Sequence, residues 1–230
     1  MDINLITNSF IQILSAVPTT LSLVATALIL GFIIAIFLAL MAISKNKVLK
    51  FISASYVYYF RGTPLLIQMY LLYFGVGYWL SMQNGIQESI FWVVISEPYW
   101  YAVVALMFNT AGYTAEILRG AISSIPKGQF EGAYSLGMSK SLLLRKVILP
   151  QAFRQALPAY SNEVILMIKG SSLASIITVM EMTGVMNKIR AETYAIYELI
   201  IIAGAIYLFI NFVITRVFKA LEEKYRIPSN

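Results

Sequence analysis

The sequence predicts an all-α membrane protein with five transmembrane helices, on the basis of composition, apolar segment length and the placement of charge. Of its 230 residues, 59% are hydrophobic and 12% are charged, whereas an average soluble domain has about 45–50% apolar and about 25% charged residues. Mean hydropathy is +0.75. A soluble domain of this size has too little interior to bury that excess, so the composition argues against a soluble globular enzyme.

Five segments have about 20 mostly apolar residues each, the length that a helix needs to cross the hydrocarbon core. No charged residue occurs between Ile3 and Ser44. No basic region precedes the first span, so we expect it to be retained and not cleaved as a signal peptide. Thr63 and Pro64 suit the cap and first turn of the second span. The predicted spans are 18–43, 64–82, 99–118, 158–180 and 194–217, in one domain covering 1–230.

The basic residues predict the orientation of these spans. Fourteen of the 17 lie in the first loop, the third loop or the C-terminal tail. The opposite side carries Lys188 and Arg190, and Lys169 lies within a span. Because short cytoplasmic loops are rich in Lys and Arg, the N-terminus should lie outside and the C-terminus inside. The net charge of +6 therefore reflects membrane orientation, and we expect contact with lipid and none with nucleic acid.

The missing residue types exclude several classes of chemistry. The chain contains no Cys and no His, so it has no disulfide, no thiolate nucleophile, no metal site built on these ligands and no Ser-His-Asp triad. It also lacks the glycine-rich phosphate-binding loop that ATPases use. We therefore predict no catalytic residue, no metal and no cofactor in this chain.

The long connection at 119–157 predicts two short helices. Pro126 suits a first helical turn, and Phe130, Ala133, Tyr134 and Gly137 then recur at the spacing of one helix face. Ser139 can cap a second helix over 140–148 that stops before Pro150. The sequence pattern alone leaves two interpretations open: an amphipathic loop lying on anionic lipid, or a surface that docks a partner.

Ionisable residues inside spans are expensive and usually functional. Glu163 and Lys169 are the main candidates in span four, and Gly170-Ser171-Ser172 can interrupt the helix there. Glu163 would either contact a cationic substrate or pair with a basic residue of span three or of a partner subunit. The predicted substrate-binding residues are Gln68, Ser161, Asn162, Glu163, Lys169 and Ser171.

Two further groups have structural interpretations. Glu116 and Arg119 are spaced to form a local ion pair, and with Arg61 they are predicted to act as a gate or as a latch between helices. In span one, Gly31, Ala35 and Ala39 form a stripe of small residues, which favours close helix packing, with a second subunit as one expected partner.

Four motifs resemble one family. Glu131-Gly132-Ala133, then Gly137, then Val147-Ile148-Leu149-Pro150 matches the EAA loop of ABC importer permeases in spacing, with Gly132 and Val147 as departures. Segments 60–68, 113–122 and 168–175 are similar to other signatures of these permeases, with Ser171 where Thr is usual. The resemblance is strongest to permeases for polar amino acids, of the histidine/lysine/arginine/ornithine type or the opine type.

This resemblance implies a permease in the bacterial inner membrane that imports polar amino acids by alternating access, with cationic amino acids as the expected substrates. It implies a second permease subunit, two ATPase subunits that bind ATP-Mg, and a periplasmic substrate-binding protein. The ATPase-docking residues would be Phe130, Glu131, Gly132, Ala133, Tyr134 and Gly137. Two alternatives remain: a channel or secondary transporter that is not coupled to ATP, and a membrane-embedded enzyme using carboxylates.

Overall fold

A computed structural model describes residues 3–225, and every regular element in that part of the chain is helical. The prediction of an all-α fold is therefore confirmed. The α-helices are α1 Ile3–Ser15, α2 Val17–Ala42, α3 Lys47–Gly62, α4 Leu65–Tyr70, α5 Tyr78–Ser81, α6 Trp92–Ile95, α7 Pro98–Ser123, α8 Lys127–Ser135, α9 Lys140–Leu143, α10 Leu149–Gly170, α11 Met182–Thr193 and α12 Tyr197–Tyr225.

The helix of the first predicted span begins 15 residues before the expected start. Helices α1 and α2 form one stretch, Ile3–Ala42, interrupted only at Ala16. Pro18 lies in the first turn of α2, where a proline is tolerated because the missing N–H has no helical partner. The proline thus marks a junction between two helices, and α1 continues to pack against α11 and α12.

The structure shows a helix, α3, where the sequence predicted only a basic loop. Asn46 caps it by accepting a hydrogen bond from the Val48 amide at 2.8 Å. The Ser53 hydroxyl donates to the Leu38 carbonyl of α2 at 2.8 Å, and Val57 is buried on the same face. An Asn cap before a segment with apolar periodicity was a usable signal for this helix.

Helix α7 lies at the centre of the fold. It packs against α2, α3 and α10, and its buried residues include Asn109, Thr110 and Thr114. A Cβ atom at Gly31 would come within 2.9 Å of the Met107 carbonyl oxygen. The small-residue stripe of α2 therefore allows close approach to α7 of the same chain, and the expected use of that stripe against a second subunit is wrong.

Helix length and hydropathy support fewer spans than five. Two described helices are long and apolar enough to cross a membrane, Ile3–Ala42 and Tyr197–Tyr225. A third is counted if Lys140–Ile177 and Met182–Thr193, which are bent by 46°, form one broken span. The segment Leu65–Ser81 is apolar but shorter, and α7 carries buried polar residues. Five spans and their orientation therefore stay a prediction.

The second helix of the long connection was predicted to stop before Pro150, and this prediction is wrong. Ser139 does cap α9, since its hydroxyl accepts a hydrogen bond from the Leu142 amide at 3.3 Å. The chain then continues through a π-helical segment, Leu144–Ile148, directly into α10, with Pro150 in the first turn of α10. The change of helix type at this point accommodates the proline without ending the helix.

The predicted interruption near Gly170 is present. Helix α10 ends at Gly170 and a 3₁₀ segment, Ser171–Ile177, follows it. Thr178 then adopts a left-handed conformation with φ of 69°, and the chain turns into α11. The fourth predicted span therefore changes helix type near its middle and bends by 46° at its end.

Large apolar side chains face outward on many helices. Phe37 is 63% exposed, Ile201 70% and Leu208 74%. Exposure of so many large apolar side chains is unfavourable in water and suits the hydrocarbon core of a bilayer.

Candidate translocation pathway and coupling surface

Glu163 is the buried carboxylate of α10. Its side chain is 5% exposed, on the side of α10 that faces α7. The buried Thr110 hydroxyl lies beside the Glu163 carboxylate without completing a hydrogen bond of standard geometry. The positive charge of the Arg61 guanidinium favours the ionised carboxylate from longer range. Within residues 3–225, no basic side chain forms an ion pair with Glu163. Burying a carboxylate is costly unless it is paired, so a cation from outside the described chain would stabilise it.

Asn162 and Lys169 occupy a different face of α10. Both are exposed, and Lys169 lines an open groove of about 650 Å³ between α10 and α12. Ser161 is buried, 7% exposed. The Ser171 hydroxyl donates to the Ile168 carbonyl at 2.7 Å, which stabilises the helix break. The structure thus separates the predicted substrate-binding residues of span four into an inner and an outer group.

Gln68 lies among backbone and side-chain partners of its own chain. It is 3% exposed, and its amide nitrogen donates to the carbonyls of Phe60 and Thr63 at 2.9 and 3.1 Å and to the Thr63 hydroxyl at 2.8 Å. Its amide oxygen accepts from Asn109 at 3.2 Å. Gln68 therefore joins the end of α3 to α4 and α7. Thr63, predicted as a helix N-cap, instead ends α3 and accepts this bond.

These contacts predict that Gln68→Leu destabilises the fold. The buried polar partners of Gln68 would lose their hydrogen bonds, and each such loss costs about 1–3 kcal/mol. We expect the thermal midpoint of the purified protein in detergent to fall by roughly 2–4 °C for each kcal/mol. The control is Gln83→Leu, at an exposed position whose amide bonds only to the nearby Trp79 carbonyl. Equal midpoints for the two variants would contradict the structural role.

The predicted local pair of Glu116 and Arg119 is present. Arg119 donates to both carboxylate oxygens, Nε to Oε1 at 2.9 Å and Nη2 to Oε2 at 2.8 Å. Arg61 of α3 lies 3.9 Å from the same carboxylate and 5.1 Å from the centre of the Tyr113 ring. One carboxylate of α7 thus joins two guanidinium groups and connects α3 to α7, the geometry that a latch requires.

Helix α8 divides the predicted docking residues between its two sides. Ala133 is buried, 6% exposed, and Phe130 packs against the same core of the chain, so the predicted single face is wrong. Glu131, Gly132 and Tyr134 are exposed. Glu131 lies in the second turn of α8, so it does not cap the helix start. The surface open to a partner consists of Glu131, Gly132, Tyr134, Ser135 and Leu136, termed here the α8 surface.

Gly137 ends α8 in a left-handed conformation with φ of 73°. The Gly137 amide donates to the Tyr134 carbonyl at 2.9 Å, and the Met138 amide donates to the Ala133 carbonyl at 3.1 Å. This pair of bonds is the Schellman arrangement, in which glycine is favoured because it has no Cβ. Apart from Gly137 and its two chain neighbours, no atom of residues 3–225 lies within 4 Å of a Cβ placed at Gly137. The glycine is therefore required here by backbone conformation.

One buried carboxylate was missed from the sequence. Glu181 is 0% exposed and caps α11 by accepting from the Gly184 amide at 2.9 Å. Its second oxygen accepts from the Tyr207 hydroxyl of α12, also at 2.9 Å. The Met182 amide donates to the Thr20 hydroxyl of α2 at 3.1 Å. Glu181 was missed because it lay at the edge of a predicted span and looked like a loop residue. The available signal was an acidic residue three positions before Gly184, the spacing between a helix cap and the amide that it accepts from.

Comparison with known proteins identifies the family. The family model described as "Binding-protein-dependent transport system inner membrane component" matches residues 29–227. The nopaline transport system permease protein NocM of Agrobacterium fabrum is 47% identical over 96% of this chain and 91% of its own. The arginine ABC transporter permease protein ArtM of Haemophilus influenzae is 38% identical over 92% and 91%.

A solved structure of an amino acid ABC transporter with histidines matches with a TM-score of 0.85 and 32% identity, over 97% of this chain and 99% of that one. The MetNI methionine ABC transporter matches with a TM-score of 0.72 and 16% identity, which supports the fold alone. The resemblance predicted from the sequence motifs is thus confirmed, and the chain belongs to the family of binding-protein-dependent transport system inner membrane components.

Proposed function

We propose that this chain is the permease subunit of an ATP-driven importer of cationic amino acids or opines. The relatives that support the proposal are permeases named for nopaline, octopine and arginine. As a permease the chain transports and does not catalyse, and ATP hydrolysis belongs to a separate ATPase subunit. A soluble substrate-binding protein delivers the substrate.

The observation that best supports a cationic substrate is the burial of Glu163. Its side chain is a buried carboxylate that forms no ion pair within residues 3–225, where Arg61 acts on it only at longer range, and it lies seven residues before the helix break at Gly170. The attraction between a carboxylate and a cation strengthens as the local dielectric constant falls. A guanidinium or ammonium group of the substrate would therefore supply the missing charge during passage.

The remaining polar residues suggest how a substrate would be held around Glu163. Thr110 contributes a buried hydroxyl without a hydrogen-bond partner, and Thr114 contributes a second one a turn further along α7. Ser161, Asn162 and Lys169 on α10 are the further candidates. We assign Gln68 and Ser171 to structural support, since their donors are already bonded to the chain itself.

In the complex, we place the N-terminus outside and the α8 surface in the cytoplasm, following the distribution of basic residues. A second permease, identical or homologous, would complete the pathway, and two ATPase subunits would dock below. The α8 surface supports this assignment because it is a short helix that keeps an aromatic and an aliphatic side chain exposed: Tyr134 is 52% and Leu136 80% exposed.

The test is uptake by proteoliposomes that contain the chain, its ATPase and its binding protein. ATP is enclosed in the compartment that the ATPase faces. Under these conditions we expect uptake of radiolabelled arginine, lysine, histidine or ornithine, and we expect no uptake of glutamate. Uptake without ATP would contradict the proposal and favour a channel or a secondary transporter.

A further inference from the structure

A small pocket lies where α5, α6 and the start of α7 meet, at the end of α7 opposite to Glu116 and Arg119. Its volume is about 260 Å³, and a single water molecule needs about 10–15 Å³. It is open on one side, and none of the described residues that line it is charged. Half of these residues are aromatic, so the site is termed here the aromatic pocket: its rings are those of Tyr73, Tyr78, Trp92 and Tyr101.

One wall of the aromatic pocket is built by a π-helical segment, Leu71–Gly77, which continues into α5. Tyr73 and Tyr78 are five residues apart, and on a regular α-helix their side chains would diverge by about 140°. The i→i+5 bonding of a π-helix is wider, and in this protein both rings line the same pocket. Segments of this type frequently lie at functional sites, so the local departure from α-helix points to a use for the pocket.

Tyr101 forms the opposite wall, on the first turns of α7. A Cβ at Gly77 would lie 2.9 Å from Cζ of the Tyr101 ring, so the glycine allows this ring to pack directly on the π-helical segment. The rings of Tyr73 and Tyr101 meet edge to face, with centroids 5.5 Å apart. The Tyr101 hydroxyl is buried and has no hydrogen-bond partner within residues 3–225, although such a group normally has one.

Aromatic side chains near a membrane surface often serve only to anchor a helix among the lipid headgroups. Trp79 and Trp100 fit that role, because they are 60% and 40% exposed. Tyr73, Trp92 and Tyr101 are instead half-buried and line one cavity. Anchoring therefore accounts for the outward-facing rings and leaves the inward-facing ones unexplained.

The charges near the aromatic pocket are negative. Every residue that lines it lies within 62–118, a stretch with no Lys or Arg. Glu97 directly follows a serine of the pocket, and Glu88 precedes α6; both carboxylates are exposed, and neither forms an ion pair in the part of the chain that the structure describes. The basic residue of α7, Arg119, is eighteen positions from Tyr101, about 27 Å along the helix. A cation would therefore be favoured in the pocket and an anion disfavoured.

We propose that the aromatic pocket binds an organic cation, a guanidinium or ammonium group, by cation–π contacts with its tyrosine and tryptophan rings. Such rings attract a cation within about 6 Å of their centres, and cages built from them recognise ammonium ligands. The pocket is distinct from the Glu163 site, because Tyr101 precedes Thr110 by nine residues on α7, about 14 Å. The inference goes beyond the proposed function, since binding at this pocket requires neither transport nor ATP.

The test is a fluorescence titration of the permease–ATPase complex in nanodiscs of phosphatidylglycerol, a lipid without an ammonium group. Trp79→Phe with Trp100→Phe leaves Trp92 as the one tryptophan of this chain, and the signal of the same complex with Trp92→Phe added is subtracted. Methylguanidinium is the probe, and methylurea is a neutral molecule of the same shape. We expect saturable quenching by methylguanidinium and none by methylurea. No saturable change, or an equal effect of both molecules, overturns the proposal.

A matched pair of variants separates ring contact from a general effect. Tyr78 is 61% exposed, so Tyr78→Leu should fold normally, and we expect it to weaken methylguanidinium binding roughly three- to tenfold. The control is Tyr70→Leu, since the Tyr70 ring packs on Phe74 and does not line the pocket. Glu97→Gln should weaken binding at low salt and less so at high salt, where its charge is screened. Equal affinities of Tyr78→Leu and Tyr70→Leu contradict the proposal.

Two further titrations identify the source of the cation. Nanodiscs that contain phosphatidylethanolamine supply a lipid ammonium group. If they weaken methylguanidinium binding, and Tyr78→Leu removes this competition, the pocket holds a lipid headgroup. If phosphatidylethanolamine has no effect and arginine competes with the probe, the pocket takes soluble cations. Either result supports a cation site, whereas binding of the probe that neither lipid nor arginine nor Tyr78→Leu affects overturns it.

Discussion

Replacement of Glu163 by glutamine is expected to abolish ATP-driven uptake of cationic substrates while the complex still assembles. Glutamine has nearly the same shape and keeps the contact with Thr110, but it removes the charge that a cationic substrate would meet. Truncating one partner of a buried charge pair costs about 2–5 kcal/mol, so uptake should fall roughly 30-fold or more. Radiolabelled arginine uptake into proteoliposomes, normalised to the amount of assembled complex, measures the effect.

The control for Glu163→Gln is Glu198→Gln, which removes an acid from the first turn of α12 and should leave arginine uptake unchanged. Normal arginine and lysine uptake by Glu163→Gln would show that this carboxylate does not contact substrate. Loss of assembly in the same variant would instead indicate that Glu163 pairs with a cation of a partner subunit. The two possible roles are thus separated by measuring assembly and uptake on one preparation.

The sequence predicted the starts of two apolar helices closely because the apolar signal is additive along the chain. Helix α7 starts within one residue of the predicted position and α12 within three. The prediction was poorer where one helix contains both apolar and polar segments. Helix α10 begins at Leu149 and continues the helix from α9, whereas the predicted span began at Pro158. The two differ because apolar composition marks the edge of the hydrocarbon core and does not mark the end of a helix.

The sequence predicted the residue types of the candidate site better than it predicted which residues contact one another there. An acid in an apolar helix identified Glu163 because the cost of burying charge is a local property of the sequence. The environment of Gln68 depends on Phe60 and Thr63, at the end of a helix that looked like a loop, and on Asn109, 41 positions away. Contacts of that range arise from packing, so a single sequence without its fold does not contain them.

The docking role of Gly137 is expected to depend on its backbone conformation and not on its small volume. Asparagine tolerates the left-handed region, whereas leucine, which has the same number of side-chain heavy atoms and the same branching at Cγ, does so only at a cost of about 1–2 kcal/mol. Gly137→Leu should therefore distort the end of α8 and uncouple ATP hydrolysis from uptake. Gly137→Asn should retain most of the coupling. The measurement is the number of substrate molecules imported per ATP hydrolysed in proteoliposomes, together with co-purification of the ATPase.

Gly132 provides the matched comparison on the same helix. Its backbone is helical, and beyond α8's own backbone a Cβ there meets nothing within 4 Å in the described residues, so Gly132→Ala should stabilise α8 by about 0.5–1 kcal/mol. Any loss of ATPase binding in Gly132→Ala must then come from contact with the partner. If Gly137→Asn and Gly137→Leu lose coupling equally, the partner packs directly on Gly137 as well. If only the leucine variant fails, the glycine serves to hold Tyr134 and Leu136 in position on the α8 surface.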